Sequence, residues 1–108
     1  MLGIVQGRLS HSGRKLQFFP KNPYKEFKLA SKIGYDFIEF FGERMKNFSN
    51  PIWTDYGIKK YLKVSKQNNI KIYSFCDDYI INHTLSSKKT LSEIINTIQR
   101  LGKLKIKK

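Results

Sequence analysis

One stretch of this chain repeats itself, and the repeat constrains the fold more than any other feature. Phe27-Lys-Leu-Ala-Ser-Lys-Ile-Gly-Tyr-Asp-Phe-Ile-Glu-Phe-Phe41 aligns without a gap on Leu62-Lys-Val-Ser-Lys-Gln-Asn-Asn-Ile-Lys-Ile-Tyr-Ser-Phe-Cys76, at an offset of 35 residues. Leu29 falls on Val64, Gly34 on Asn69, Phe37 on Ile72 and Glu39 on Ser74. Each copy reads as a helix end, a Gly or Asn stop that tolerates the left-handed conformation, and then a strand. Helix-then-strand in tandem implies parallel strands joined by right-handed crossovers. The second copy runs into Asp77-Asp78-Tyr79, so polar groups gather at the C-terminal end of an apolar strand. Open α/β sheets and barrels present their reactive groups there.

The rest of the chain fits around the repeat. Leu2 to Gln6 is a short apolar run that predicts the first strand, followed by a loop from Gly7 to Pro23. Asn22-Pro23 reads as a helix N-cap with proline at the first helical position. Tyr24, Phe27, Leu29, Ala30 and Ile33 then recur at helical spacing. Tyr35 to Phe41 is the second predicted strand, and adjacent Phe37 and Ile38 suggest cover on both faces. Thr54 or Asp55 can cap the next helix, which Asn68-Asn69 ends. Ile70 to Phe75 is the third strand, and Asp77 to Leu85 is read as a loop. A third helix starts at Ser86, Ser87 or Thr90 and buries Leu91, Ile94, Ile95, Ile98 and Leu101. Residues 103–108 form a basic tail expected to be disordered. The fold class is α/β, a partial (β/α)₈ TIM barrel of about three βα units with parallel strands, in one domain over 1–108. Three units fall short of the roughly 250 residues of a complete barrel.

Composition narrows the function classes. Forty per cent hydrophobic residues can form a core, which argues against wholesale disorder. The single cysteine, Cys76, permits no disulfide framework, as suits a reducing cytoplasm. It reads as a small core residue rather than a nucleophile. The N-terminus lacks the pattern of a signal peptide, and no apolar run is long enough to span a bilayer. The expected localisation is cytoplasmic, with no membrane partner. The net charge of +13 raises the question of a nucleic-acid partner. The lysines, however, are spread over every segment and only four arginines occur, so solvated faces are the favoured reading.

A set of short motifs then resembles a known family. Gly3-Ile-Val-Gln-Gly-Arg-Leu-Ser10, Gln17-Phe-Phe-Pro20, Glu26-Phe27, Leu29-Ala30 and Ile33-Gly-Tyr-Asp-Phe-Ile-Glu39 are similar to the N-terminal third of sugar phosphate isomerase/epimerase proteins of the xylose-isomerase-like TIM-barrel superfamily. Asn50-Pro51, Thr54, Gly57-Ile58 and Ser74-Phe-Cys-Asp-Asp-Tyr79 follow the same pattern. The resemblance covers about residues 2 to 102. It implies a sugar or sugar phosphate as substrate, and in the intact family a divalent metal (Mn, Mg, Zn or Co) acting as Lewis acid beside proton-shuttling glutamates. Those groups belong to later strands than the three read here. The chain is therefore expected to be truncated and inactive alone, with no cofactor of its own, and the resemblance does not decide whether it is an enzyme by itself.

The candidate substrate-side residues are Gln6 and Arg8 after the first strand, Glu39 in the second, and Asp77, Asp78, Tyr79 and His83 at and beyond the end of the third. Arg8 could hold a phosphate or carboxylate. Glu39 could position substrate, or pair with a lysine or arginine of a neighbouring strand. Adjacent Asp77 and Asp78 point to opposite faces if extended and make a poor acid/base dyad. His11 and His83 lack the cluster a metal site needs, and no phosphate-binding glycine motif is present. The catalytic residues are not assigned. The competing readings are an endonuclease-like DNA-repair protein of the same superfamily, which the charge suits but which needs metal-binding histidines where this sequence has Ser74, Asp77 and Asp78, and a non-catalytic remnant. Three parallel strands also leave sheet edges open to self-association.

Overall fold

The computed structural model describes residues 1–10, 19–81 and 83–106. His11, Gln17, Phe18, most of the long first loop and the last two lysines lie outside them. The element order is β1 (Gly3–Val5), α1 (Lys25–Ile33), β2 (Phe37–Gly42), a 3₁₀ turn (Pro51–Trp53), α2 (Asp55–Asn68), β3 (Lys71–Asp77), α3 (Asp78–Ile81) and α4 (Lys88–Lys103). The three strands form one parallel sheet in the order β1-β2-β3. The chain is thus an α/β protein with a three-stranded parallel sheet and four α-helices among the described residues.

The repeat is visible in the pairing. Glu39 lies opposite Ser74, Phe40 opposite Phe75, Phe41 opposite Cys76 and Gly42 opposite Asp77, so the sequence offset is also the strand register. Before Glu39 the register slips by one at an irregularity, and Ile38 rather than Phe37 meets Ile72. The two helix stops match as well. Gly34 has φ 106° and Asn69 φ 52°, both left-handed. At the N-terminal ends, Asn22 Oδ1 accepts from Lys25 N at 3.1 Å and Thr54 Oγ1 from Gly57 N at 3.0 Å. Each satisfies a backbone donor that the helix itself leaves open.

The core lies between the sheet and helices α1 and α2. Phe27 and Ala30 of α1 and Ile58 and Tyr61 of α2 are buried with Ile38 and Phe40 of β2, Ile52 and Ile70. Phe27 meets Phe40 edge-on at 6.1 Å, and Tyr61 packs on Phe40 at 4.6 Å, geometries that aromatic quadrupoles favour. Cover on both faces of β2 was expected, but only one face is sealed. Phe37, Glu39 and Phe41 on the other face are half-buried. Phe37 leans on Tyr73, 4.9 Å between ring centroids. It also crosses Gly3, where a Cβ would stand 2.1 Å from the Phe37 ring.

Four expectations change. Cys76 is exposed, because it follows the alternation of β3 onto the face that no helix covers. The segment after β3 is not all loop: Asp78–Ile81 forms a helical turn. Residue 104 is no free tail, since Leu104 is 3% exposed and belongs to the core. The largest change is in α4. Its apolar stripe is not its buried side: Leu91, Ile95 and Ile98 are 45%, 56% and 62% exposed, while Thr90 is buried. Polar contacts line its docked side. Glu93 takes Lys46 at 3.0 Å, and Asp55 takes Arg100 at 2.7 Å and Lys103 at 2.9 Å. With these ties α4 lies over the loops at the C-terminal end of the sheet, its stripe roughly a third of a turn from its docked side.

Candidate functional site at the C-terminal strand ends

The loop after β1 is organised by a buried carboxylate. Glu26, on the first turn of α1, is 1% exposed. Its Oε1 accepts from Gly7 N at 2.9 Å, and its Oε2 from Gly7 N at 3.0 Å, Leu9 N at 2.9 Å and Ser10 N at 3.1 Å. Burial raises the Glu26 carboxyl above its ordinary value, against the pull of those three backbone donors and of Arg8. The carboxylate fixes the chain just where it leaves the strand.

Gln6 belongs to the same scaffold. It is 3% exposed, donates from Nε2 to Tyr61 Oη at 3.2 Å and accepts at Oε1 from Phe41 N at 3.2 Å. Both ends of its amide are occupied in the interior, so it links β1, β2 and α2 rather than facing a ligand. Arg8 is exposed on the loop that Glu26 holds. Glu39 accepts from the Ser74 hydroxyl at 2.5 Å across paired strands; this partner is neither lysine nor arginine.

The remaining candidates come together beyond β3. Asp77 closes the strand and accepts from Tyr79 N at 3.0 Å. Burial raises its carboxyl above the ordinary value, and neighbouring Asp78 pushes in the same direction. Asp78 turns away, towards Arg44 at 3.7 Å, so the two aspartates do part company. One turn of chain later, His83 stacks on Tyr79 with ring centroids 3.7 Å apart and planes 15° apart. His83 Nδ1 lies 2.7 Å from the Tyr79 carbonyl. A carbonyl can only accept, so this contact puts the ring proton on Nδ1 and leaves Nε2 as the acceptor in the neutral ring.

Two hollows meet at this end of the sheet. A small cavity of about 30 Å³ lies among Gly42, Lys46, Asn50, Asp77, Tyr79 and Glu93, which is room for about one water. Beside it is an open groove of about 510 Å³, whose walls include Lys46, Phe48, Tyr79, His83, Lys89 and Glu93. Lys46 sits on the boundary, its Nζ held by Glu93 and 4.2 Å from the centroid of Trp53. Lys46, Lys89 and Glu93 were not legible as site residues in the sequence. Lysine is too common here to stand out, and only the unexpected position of α4 brings residues 89 and 93 to the strand ends.

A divalent metal does not fit these groups. Among the described residues no three His, Cys, Asp or Glu side chains are arranged to hold a metal ion. Asp77 receives a backbone N–H and Glu39 a hydroxyl; His83 keeps Nε2 as an acceptor, but one imidazole without a cluster of further ligands does not make a metal site. No catalytic step is therefore derived through a metal. The arrangement offers groups suited to binding. Lysine ammonium groups can meet an anion, stacked rings can lie against an apolar face, and carboxylates can accept from hydroxyls.

Fold and site together define a class: an α/β protein whose candidate site lies outside the carboxyl ends of parallel strands, the usual place for a ligand in such sheets. No helix among the described residues is long and apolar enough to cross a membrane. No family model, no curated protein and no solved structure matches the chain.

Proposed function

We propose that this chain is the first three βα units of a partial (β/α)₈ barrel of the sugar phosphate isomerase/epimerase type, and that it binds a sugar or sugar phosphate without turning it over. The observation that carries the reading is the groove of about 510 Å³ at the strand ends, where Lys46 and Lys89 stand beside the Tyr79–His83 stack. A phosphorylated sugar presents an anion, several hydroxyls and a C–H face. The groove offers a complementary group for each: ammonium for the phosphate, Glu93 for hydroxyls and the stacked rings for the C–H face. The half-buried face of β2 and β3 with Glu39, Phe41 and Ser74 is the side that would look into a barrel. The resemblance of the motif order to that of the family supports the reading. Proton abstraction beside a carbonyl needs a base at the reacting carbon and a means of stabilising the developing oxyanion. The contacts described occupy Asp77, Glu39 and Gln6 in other work.

The test is calorimetric titration of the 108-residue chain with pentose and hexose phosphates and with the parent sugars, alongside turnover assays with added Mn²⁺ or Mg²⁺. Binding of the phosphates that weakens on Lys89→Gln, with no turnover, is the expected result. Clear turnover would overturn the inactive part of the reading; absence of any binding would overturn the sugar part.

A further inference from the structure

The lysines that look scattered along the sequence are sorted by the fold. On α1, Lys25, Lys28 and Lys32 fall at i, i+3 and i+7; on α2, Lys59, Lys63 and Lys66 fall at i, i+4 and i+7, and all six are exposed. Each row lies opposite its helix's buried side, formed by Phe27 and Ala30 on α1 and by Ile58 and Tyr61 on α2. A row spans about 10 Å along its axis. The two helices pack side by side, joined by the Tyr24–Tyr61 contact at 5.2 Å and by Lys60 Nζ, 4.2 Å from the centroid of Tyr24.

The carboxylates are sorted the other way. Within α1 and α2 the acidic residues are Glu26, buried on the β1 loop, and Asp55, held by Arg100 and Lys103. Glu43, Asp77 and Glu93 stand instead at the strand ends. The outer face of the two helices therefore carries rows of like charge with no exposed, uncommitted carboxylate of their own to offset them. Like charges three and four residues apart cost helix stability. An aromatic ring completes the surface. Tyr56 is 74% exposed and opens a groove of about 420 Å³ with Lys59, Lys60, Lys63 and Gln67. Lysine rows beside an exposed aromatic ring are the combination that tracks a phosphate backbone while a base stacks.

We propose that the outer face of α1 and α2 is a docking surface for single-stranded nucleic acid, with phosphates along the two lysine rows and a base on Tyr56. It lies apart from the strand-end groove and does not depend on the sugar reading. The test is fluorescence anisotropy of the 108-residue chain with labelled oligouridylate RNA over a salt series. Each lost phosphate contact should lower the slope of log K against log salt by about 0.7. Replacing Lys59, Lys63 and Lys66 with Gln should thus lower it by about 2, and so should the same change at Lys25, Lys28 and Lys32. Tyr56→Ala should weaken binding by about fivefold or more. The matched control is Lys71→Gln, Lys88→Gln and Lys105→Asn, three exposed residues off both surfaces, the asparagine being chosen because residue 105 has φ 60°. It should leave the slope unchanged. An equal fall in the control would show attraction to net charge alone and overturn the proposal. Absence of RNA binding would also overturn it, as would capture by phosphatidylserine vesicles but not by RNA.

Discussion

Tyr61→Phe removes one oxygen atom from the centre of the molecule, and its cost tests whether Gln6 is scaffold or site. The Tyr61 ring is fully buried and packs on Phe40, Phe27 and Tyr24, so Phe keeps every ring contact. What disappears is the acceptor for Gln6 Nε2. Gln6 is itself buried, and a buried donor left without its partner costs about 1–3 kcal/mol. In a domain of this size that lowers the melting temperature by roughly 5–20 °C. Gln6→Leu should cost more, because it strands two groups, the Tyr61 hydroxyl and the Phe41 N–H. In the double variant the hydroxyl is already gone, so adding Tyr61→Phe to Gln6→Leu should cost little. The cycle should return a coupling energy of about 1–2 kcal/mol. Urea unfolding followed by far-UV circular dichroism gives all four stabilities. A Tyr61→Phe variant within 0.5 kcal/mol of wild type, or a coupling near zero, would refute the reasoning and return Gln6 to the list of ligand-facing residues.

Two further outcomes follow from the same contacts. Gly57→Ala should destabilise by about 1–3 kcal/mol, since the new Cβ would stand 2.1 Å from the Pro51 carbonyl oxygen, a backbone atom that can yield only by moving the 3₁₀ turn; an unchanged urea midpoint would contradict this. Glu26→Gln tests the loop through pH. Burial raises the Glu26 carboxyl above its ordinary 4.5, so its contribution to stability is fully present below that value and lost as pH rises through the folded-state value. The stability of wild type relative to Glu26→Gln should accordingly be greater below pH 4.5 than at neutral pH, and a difference that runs the other way would show that the backbone donors outweigh burial.

The parts of the fold that local chemistry decides could be read from the chain. Gly34 and Asn69 had to be helix stops because few other residues accept a left-handed φ, and their shared spacing carried through to the pairing of Glu39 with Ser74. Thr54 was legible as a cap because a short side-chain oxygen before a helix has one common use; Asn22 accepts from Lys25 N, but α1 begins only at Lys25, with Tyr24 at its N-cap and Pro23 outside the helix. The errors arose where a side chain's role depends on what lies across from it. Helical spacing located the apolar stripe of α4 but could not tell which side would be docked, and the docked side carries Thr90, Glu93 and Arg100 instead. Cys76 followed the same logic on a strand: apolar neighbours do not say whether a second layer covers that face. At the candidate site, Tyr79 and His83 were both noticed, but their stacking depends on the turn of α3, which the sequence presented as loop. Gln6 was placed correctly past β1 and assigned the wrong partner, because nothing local announces a hydroxyl on a helix 55 residues away.

The Glu26 arrangement has a further meaning for recognition. The N–H groups of Gly7, Leu9 and Ser10 converge on one point, which is how backbone loops seat phosphate and other anions. Here the seat is taken by a side chain of the same molecule. A phosphorylated ligand reaching this end of the sheet meets a loop whose anion-binding capacity is already spent, and its charge must be met by mobile lysine ammonium groups instead. Selectivity for such a ligand would then rest on point charges, which are tolerant of geometry, rather than on a fixed cage of amides. Shortening Glu26 would free the amides, and a small anion such as formate could then occupy the place of the lost carboxylate.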